Sequence, residues 1–358
     1  MTTAAPSVPI DQRLVDAAIA TLDLFGVYLG DRLGLYEVLR EQPSATVGEL
    51  ASAAGIHERY AQEWLEHQAV TGLLTVDDAS AAPNVRRYAL PEAHIGALAT
   101  PEHAEHLAPL ARMIVGVANA LEDVVAAYRS GRGVPYTRYG ADFRDGQGAI
   151  NRPAFTTSLC NDWLPAVPGL VDRLDAGGRI ADLGCGVGWS SIAMAHTYPS
   201  AEVWGIDSDV ASIEDARVFA AKQDAKVRFE AVDAAELAGH GPFDAITILE
   251  ALHDMSRPVD VLRAARDALA ADGSLIIADE AVADTFTAPG DDVERFMYGW
   301  SITHCLPASM AEQPSAAIGT VIREDTVRSL AQQAGFADVE VLPVDGGFFR
   351  IYRLHGIA

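Results

Sequence analysis

Lysine is almost missing from this chain. Lys222 and Lys226 are its only lysines in 358 residues, and 26 lysine and arginine side chains together face 50 acidic ones, for a net charge of −24 with histidine neutral. A chain so poor in positive charge is not expected to bind nucleic acid, whose phosphates are held by basic surfaces that release counterions. Cysteine is sparse as well. Cys160, Cys185 and Cys305 lie far apart, match no metal-ligand spacing and leave an odd count, which excludes a disulfide framework and suits a reducing compartment. No uninterrupted apolar run of about 18 residues occurs, and the opening "MTTAAPSVPIDQRL" has neither the basic nor the apolar part of a secretory leader. A soluble, cytoplasmic protein with no membrane partner is expected.

What is present is apolar and long enough for two domains, with hydrophobic residues at 49%. Residues 11–40 have a helical pattern, but Leu22, Leu24, Phe25, Val27, Tyr28 and Leu29 spread apolar surface beyond one stripe. Such a helix must be covered on more than one side, and a second copy of the chain is the simplest cover. The next segment reads as a helix-turn-helix, with Thr46 as a cap, Gly55 at the turn and a second helix over Glu58–Val70. Two short strands in "GLLTVDDASAAPNVRRYAL" then make a wing. DNA binding is one reading of this pattern. The second helix favours a dimerisation module instead, because Glu58, Glu63 and Glu66 outweigh Arg59. Residues 1–100 are therefore expected to form a winged-helix dimerisation domain.

Residues 101–168 are expected to be a helical linker. Its glycine-rich stretch "RSGRGVPYTRYGADFRDGQGAINRP", which carries Tyr136, Tyr139 and Phe143, reads as a loop, either an inert linker or a lid over the site, and an active-site lid is expected. From residue 169 to the end, short β-rich runs alternate with helical patterns, which implies a doubly wound parallel sheet. A hairpin through Asp345-Gly346-Gly347 closes it.

The first of those strands runs into "ADLGCGVGWSS". A P-loop needs a Lys-Ser/Thr pair after its glycines, and none follows. A dinucleotide fingerprint needs glycine where this chain has Trp189. The run from Asp182 through Gly184, Gly186 and Gly188 instead suits S-adenosylmethionine, whose amino-acid part the backbone can approach closely. Two further strand ends agree. Asp207 can accept from both ribose hydroxyls, and Asp233 from the adenine amino group, with the backbone N–H of Ala234 meeting the ring.

On these motifs residues 170–358 resemble a class I S-adenosylmethionine-dependent methyltransferase. The whole chain resembles the actinobacterial methyltransferases that carry an N-terminal winged-helix domain. The fold so implied is α/β, a Rossmann-like doubly wound seven-stranded sheet with a C-terminal antiparallel hairpin, preceded by a mostly helical winged-helix domain. The stretch "LHD" at 252–254 is similar to that of small-molecule O-methyltransferases, in which the histidine deprotonates the acceptor hydroxyl. That residue is His253 here, a neutral imidazole suited to proton removal near pH 7, with Asp254 or a nearby carboxylate to orient it.

A helix after the fifth strand bears Phe296, Tyr298, Trp300 and His304. Trp300 and His304, with Tyr136 and Tyr139 of the lid, are the candidates for walling the pocket of a small-molecule acceptor. An alternative resemblance, to bacterial C-methyltransferases acting on α-keto acids, would have His253 and His304 hold one metal ion; no metal ligand is assigned on that basis. A regulator that binds S-adenosylmethionine without catalysis is the non-enzyme alternative, raised by the helix-turn-helix.

Overall fold

A computed structural model describes residues 8–237 and 239–357, and these divide between Val115 and Gly116 into two units. Five helices and a small ribbon make up most of the first: α1 (Ile10–Arg32), α2 (Leu35–Glu41), α3 (Val47–Ala54), α4 (Glu58–Val70), the antiparallel pair β1 (Thr75–Val76) and β2 (Tyr88–Ala89), and α5 (Glu92–Ala99). Thr46 and Glu49 close a reciprocal capping box at the start of α3, and Gly55 takes the left-handed turn to α4 at φ +66°. Leu35, Tyr36, Leu39, Leu50, Leu65 and Tyr88 form the core. Only the second half of α1 joins it, through Gly26, Val27 and Gly30. A Cβ at Gly30 would lie 2.5 Å from the Tyr36 ring, so glycine sets how closely α1 docks there. Ile10, Leu14, Ile19 and Leu22, in the first half, are exposed.

Helix α6 (Pro109–Ser130) begins in the first unit and ends in the second, where it is followed by α7 (Gly140–Thr156) and α8 (Leu170–Asp175). Strands and helices then alternate: β3 (Arg179–Leu183), α9 (Trp189–Thr197), β4 (Glu202–Asp207), α10 (Val210–Lys222), β5 (Val227–Ala231), β6 (Phe243–Leu249), α11 (Pro258–Ala268) and β7 (Leu269–Glu280). Helices α12 (Asp292–Trp300), α13 (Leu306–Ser309) and α14 (Glu324–Ala334) precede the hairpin strands β8 (Phe336–Val341) and β9 (Phe349–Ile357). The sheet order is β5-β4-β3-β6-β7-β9-β8, with β9 antiparallel to both its neighbours. This is the Rossmann-like seven-stranded sheet with a terminal hairpin that the sequence implies.

Alternation along the central strands buries both faces. Ile246, Ile248, Leu275 and Ile277 pack on Leu262 of α11 and Val327 of α14, while Ile180, Ala245, Leu249 and Ile276 pack with Trp163, Leu170 and Met194. The chain winds outward from β3 to β4 and β5, then returns to β6. A crevice therefore opens above the carboxyl ends of β3 and β6, where the winding direction reverses.

The glycine-rich stretch expected as a linker or lid loop is largely helical, because α7 occupies Gly140–Thr156. Tertiary packing overrides the helix-breaking tendency of its glycines. At Gly148 the missing side chain is required, since a Cβ there would lie 2.2 Å from Val187 Cγ2 in the turn after β3.

Candidate active site

The turn after β3 is built by glycines in left-handed conformations, with φ +72° at Gly184, +52° at Gly186 and +83° at Gly188. Each has a different surrounding. A Cβ at Gly184 would meet Ala251 Cβ at 2.6 Å and one at Gly188 would meet the Phe229 ring at 2.7 Å, whereas the space beside Gly186 is open. Asp182 lies beneath the turn. Its buried carboxylate accepts from Ser190 Oγ at 2.5 Å, Ser191 Oγ at 2.7 Å and Thr247 Oγ1 at 2.8 Å, tying β3 to the start of α9 and to β6.

Above it a cleft of about 530 Å³ is lined by Gly184, Cys185, Gly186, Asp207, Asp233 and Ala234, among others. Asp207, at the end of β4, accepts from the backbone N–H of Gly186 and of Asp209, both at 2.8 Å. Burial nonetheless pushes its carboxyl up to about 6, against those two donors. Asp233 accepts from the N–H of Ala235 at 2.8 Å and pairs with Arg257 at 2.5 Å. Helix α7 walls the other side with Arg144, Gln147, Gly148 and Asn151. Gln147 accepts from Tyr136 Oη at 2.8 Å, Asn151 donates to Glu250, and Arg144 pairs with Asp215 of α10 at 2.9 Å.

Past β6, behind the cleft wall formed by Glu250, Ala251 and Asp254, the buried imidazole of His253 does not itself line the cleft and is surrounded by acids. His253 Nδ1 lies 2.6 Å from Asp279 Oδ1 and 3.5 Å from Glu280 Oε2, and Nε2 lies 3.5 Å from Asp254 Oδ1. Burial opposes the charge on His253. The fields of Asp279, Glu280 and Asp254 override it and hold the imidazole well above its usual value. Burial likewise works against the charge on Asp279, yet the His253 cation keeps that carboxyl below the usual range. Burial pushes Glu280 well up, with the His253 cation acting against this and Asp279 adding to it. The surrounding carboxylates favour the imidazolium, in contrast to the neutral form expected near pH 7.

Residues 174–335 match the family model of a methyltransferase domain, and residues 20–100 that of an Rv2258c-like winged HTH domain. The chain carries a methyltransferase domain. Against the ubiquinone biosynthesis O-methyltransferase of Bordetella avium it is 35% identical over 105 residues, 29% of this chain and 41% of that one. Against the 27-O-demethylrifamycin SV methyltransferase of Amycolatopsis mediterranei it is 36% identical over 125 residues, 34% of this chain and 46% of that one. The chain thus spans less than half the length of these relatives. In fold it is similar to human N-acetylserotonin methyltransferase, crystallised in complex with S-adenosylmethionine. The TM-score is 0.71 at 16% identity, over 99% of this chain and 100% of the other.

Not every residue singled out from the sequence meets the cleft of the methyltransferase domain. Gly184, Gly186, Asp207, Asp233, Ala234, Asp254 and Tyr136 line it. Asp182 and Gly188 support the turn from below and behind. Tyr139 is buried and donates to the Thr303 carbonyl at 3.0 Å, and Trp300 faces Phe143 with ring centroids 6.3 Å apart; neither lines the cleft. His304 is buried, stacks on Phe143 at 4.1 Å and has Nδ1 3.4 Å from Cys305 Sγ. Burial, with the nearby His253 cation, pushes it down to about 3. Among the described residues, the groups close enough to share a metal join His253 to Asp254 and Cys305, or to Asp279 and Glu280, and leave His304 out.

Sequence reasoning passed over Asp279 and Glu280, which end the apolar run "LIIADE", although two acids closing a buried strand were the available signal. It also passed over Arg144, Gln147 and Asn151. These recur at helical spacing on one face of α7, a pattern obscured by reading that stretch as a loop.

No helix among the described residues is long and apolar enough to cross a membrane.

Proposed function

We propose that the chain is an S-adenosylmethionine-dependent O-methyltransferase of a small-molecule acceptor and works as a homodimer. The carrying observation is the order of groups along the strand ends: Asp233 past β5, Asp207 on β4, the glycine turn on β3, then His253 with Asp279 past β6. The first three fit the adenine, ribose and amino-acid parts of the cofactor in that order, and the open space at Gly186 suits close approach of the ligand to the backbone.

When bound, the cofactor supplies a methyl group made electrophilic by a positively charged sulfur. The residues of the chain align and deprotonate the acceptor. Asp279 accepts from His253 Nδ1–H, which fixes the ring; once the imidazolium has lost its Nε2 proton to solvent, Nε2 is free to take the hydroxyl proton. Asp254 lines the cleft on the Nε2 side, so the acceptor hydroxyl reaches His253 beside that carboxylate. Among the described residues the buried atom Asp254 Oδ1, on the cleft wall, has no hydrogen-bond partner, as expected of a group that meets a polar ligand. Alignment supplies roughly 7–11 kcal/mol of barrier lowering and the base about 10²–10⁴-fold, so positioning by α7 and Tyr136 matters at least as much as His253.

The exposed apolar residues Ile10, Leu14, Ile19 and Leu22, spread over more than one side of α1, support pairing of two copies through it. Helix α4 gives nucleic acid little to bind, because its Arg59 is paired with Glu63 beside the further acids Glu58 and Glu66. Incubation with S-adenosylmethionine and a panel of phenols, followed by mass spectrometry, tests the assignment. A gain of one methyl on oxygen, lost in His253→Ala, supports it. A carbon- or nitrogen-methylated product overturns it.

A further inference from the structure

Glu250 is not needed by the chemistry above, yet its position is unusual. It follows the last residue of β6 in a left-handed conformation, φ +52°, which costs a non-glycine residue on the order of 1–2 kcal/mol and so must be imposed by its surroundings. Its N–H donates to the Ala278 carbonyl at 2.7 Å, and its carboxyl accepts from Asn151 of α7. So held, the side chain lines the cleft next to Gly184 and Ala251.

The sheet order gives that position meaning. From Asp233 past β5, through Asp207 on β4 and the turn on β3, to Glu250 on β6 is three strand spacings, or about 14 Å. That is about the length of an extended nucleoside carrying an aminobutyrate tail. If Asp233 and Asp207 take the nucleoside, as the proposed function has it, Glu250 stands at the tail end, where the ligand carries its ammonium.

Resting on that reading, we propose that Glu250, oriented by Asn151, is the counter-group for the α-ammonium of S-adenosylmethionine. The groups that face it are His253 and Asp254 from the turn after β6, Asp279 and Glu280 from the end of β7, and Asn151 from α7. Burial pushes the Glu250 carboxyl up to about 8; the His253 cation acts against this, while Asp254 and Asp279 add to it. Without ligand, burial thus favours the protonated acid. Arrival of the ammonium favours the carboxylate, so Glu250–COOH becomes Glu250–COO⁻ and one proton passes to solvent.

Calorimetry on the full chain tests this with three probes. S-adenosylmethionine and S-adenosylhomocysteine both carry the ammonium, while 5′-methylthioadenosine has the nucleoside without the tail. At pH 7, in buffers of different ionisation enthalpy, the unmodified protein should release close to one proton with either of the first two and much less with the third. Glu250→Gln should abolish that release and weaken both tailed ligands by roughly tenfold or more, leaving 5′-methylthioadenosine unchanged. Asn151→Ala should weaken them in the same order by less. Equal proton release with all three probes in the unmodified protein overturns the proposal, whether or not the variants fold. Weakening of S-adenosylmethionine alone would place the contact at the sulfonium and overturns it too. Failure of all three probes to bind the unmodified protein instead removes the cofactor reading on which the proposal rests.

Discussion

His253 Nδ1 and Asp279 Oδ1 are 2.6 Å apart, and both side chains are all but sealed from solvent. The distance marks a charge-assisted hydrogen bond. A histidine so held keeps one orientation, and the same contact raises the pH at which the ring loses its second proton.

The first prediction concerns that coupling. A general base works only when deprotonated, and His253 is held above the ordinary imidazole range. Turnover should therefore rise with pH through a midpoint above about 6.5. Asp279→Asn removes the largest charge that raises it, so the acidic limb should move to lower pH while the plateau rate falls by about 10²-fold or more. A rate profile whose limb stays in place in the variant would show that His253 is not the titrating base.

Two glycines of one turn should answer differently to the same substitution. Gly188→Ala drives a methyl into Phe229 in addition to the left-handed backbone cost, and should lose on the order of 2–4 kcal/mol of stability in thermal or urea unfolding. Gly186→Ala meets open space and should lose only about 1–2 kcal/mol. Cofactor affinity should show the reverse order, because only Gly186 faces the cleft. Equal losses in both measurements would contradict the assignment of one glycine to packing and the other to the ligand.

Asp207 gives a second pH signature. Its carboxyl, pushed up to about 6, must be ionised to accept fully from both ribose hydroxyls. Binding of 5′-methylthioadenosine should therefore weaken as pH falls through about 6 and be flat above 7. In Asp207→Asn that dependence should vanish. Persistence of the same pH midpoint in the variant would assign the titration elsewhere.

How much of this was legible in the sequence depends on the distance over which the determining contacts act. Strands β3 to β7 and the glycine turn could be read because their signals are local: apolar runs, Gly184, Gly186 and Gly188, and acids at strand ends. Helix α7 could not, because what makes Gly140–Thr156 helical is packing on the turn after β3, with Gly148 against Val187, and composition alone argues for a loop. The charges around His253 are not legible in the sequence for a similar reason. Asp279 and Glu280 are 26 and 27 residues away in sequence, and only parallel pairing of β6 with β7 brings them to the imidazole. Trp300 and Tyr139 were chosen as aromatics near the site, and the fold uses them to pack around Phe143 and His304.

Pairing through α1 is open to a direct test. Leu14→Glu together with Ile19→Glu places two charges on the exposed apolar surface of α1 and replaces no buried side chain. The unmodified chain should sediment as a dimer at micromolar concentration, and the double variant as a monomer with an unchanged unfolding midpoint. A monomeric unmodified chain would contradict the proposed homodimer.

The account stands most directly on whether the cleft binds S-adenosylmethionine through its strand-end carboxylate. Calorimetric titration of the full chain should give one saturable site with Kd between about 1 μM and 1 mM, and Asp207→Ala should weaken it by roughly tenfold or more. An unmodified chain with no saturable binding at millimolar ligand, or an Asp207→Ala variant that binds as tightly as its parent, would contradict it.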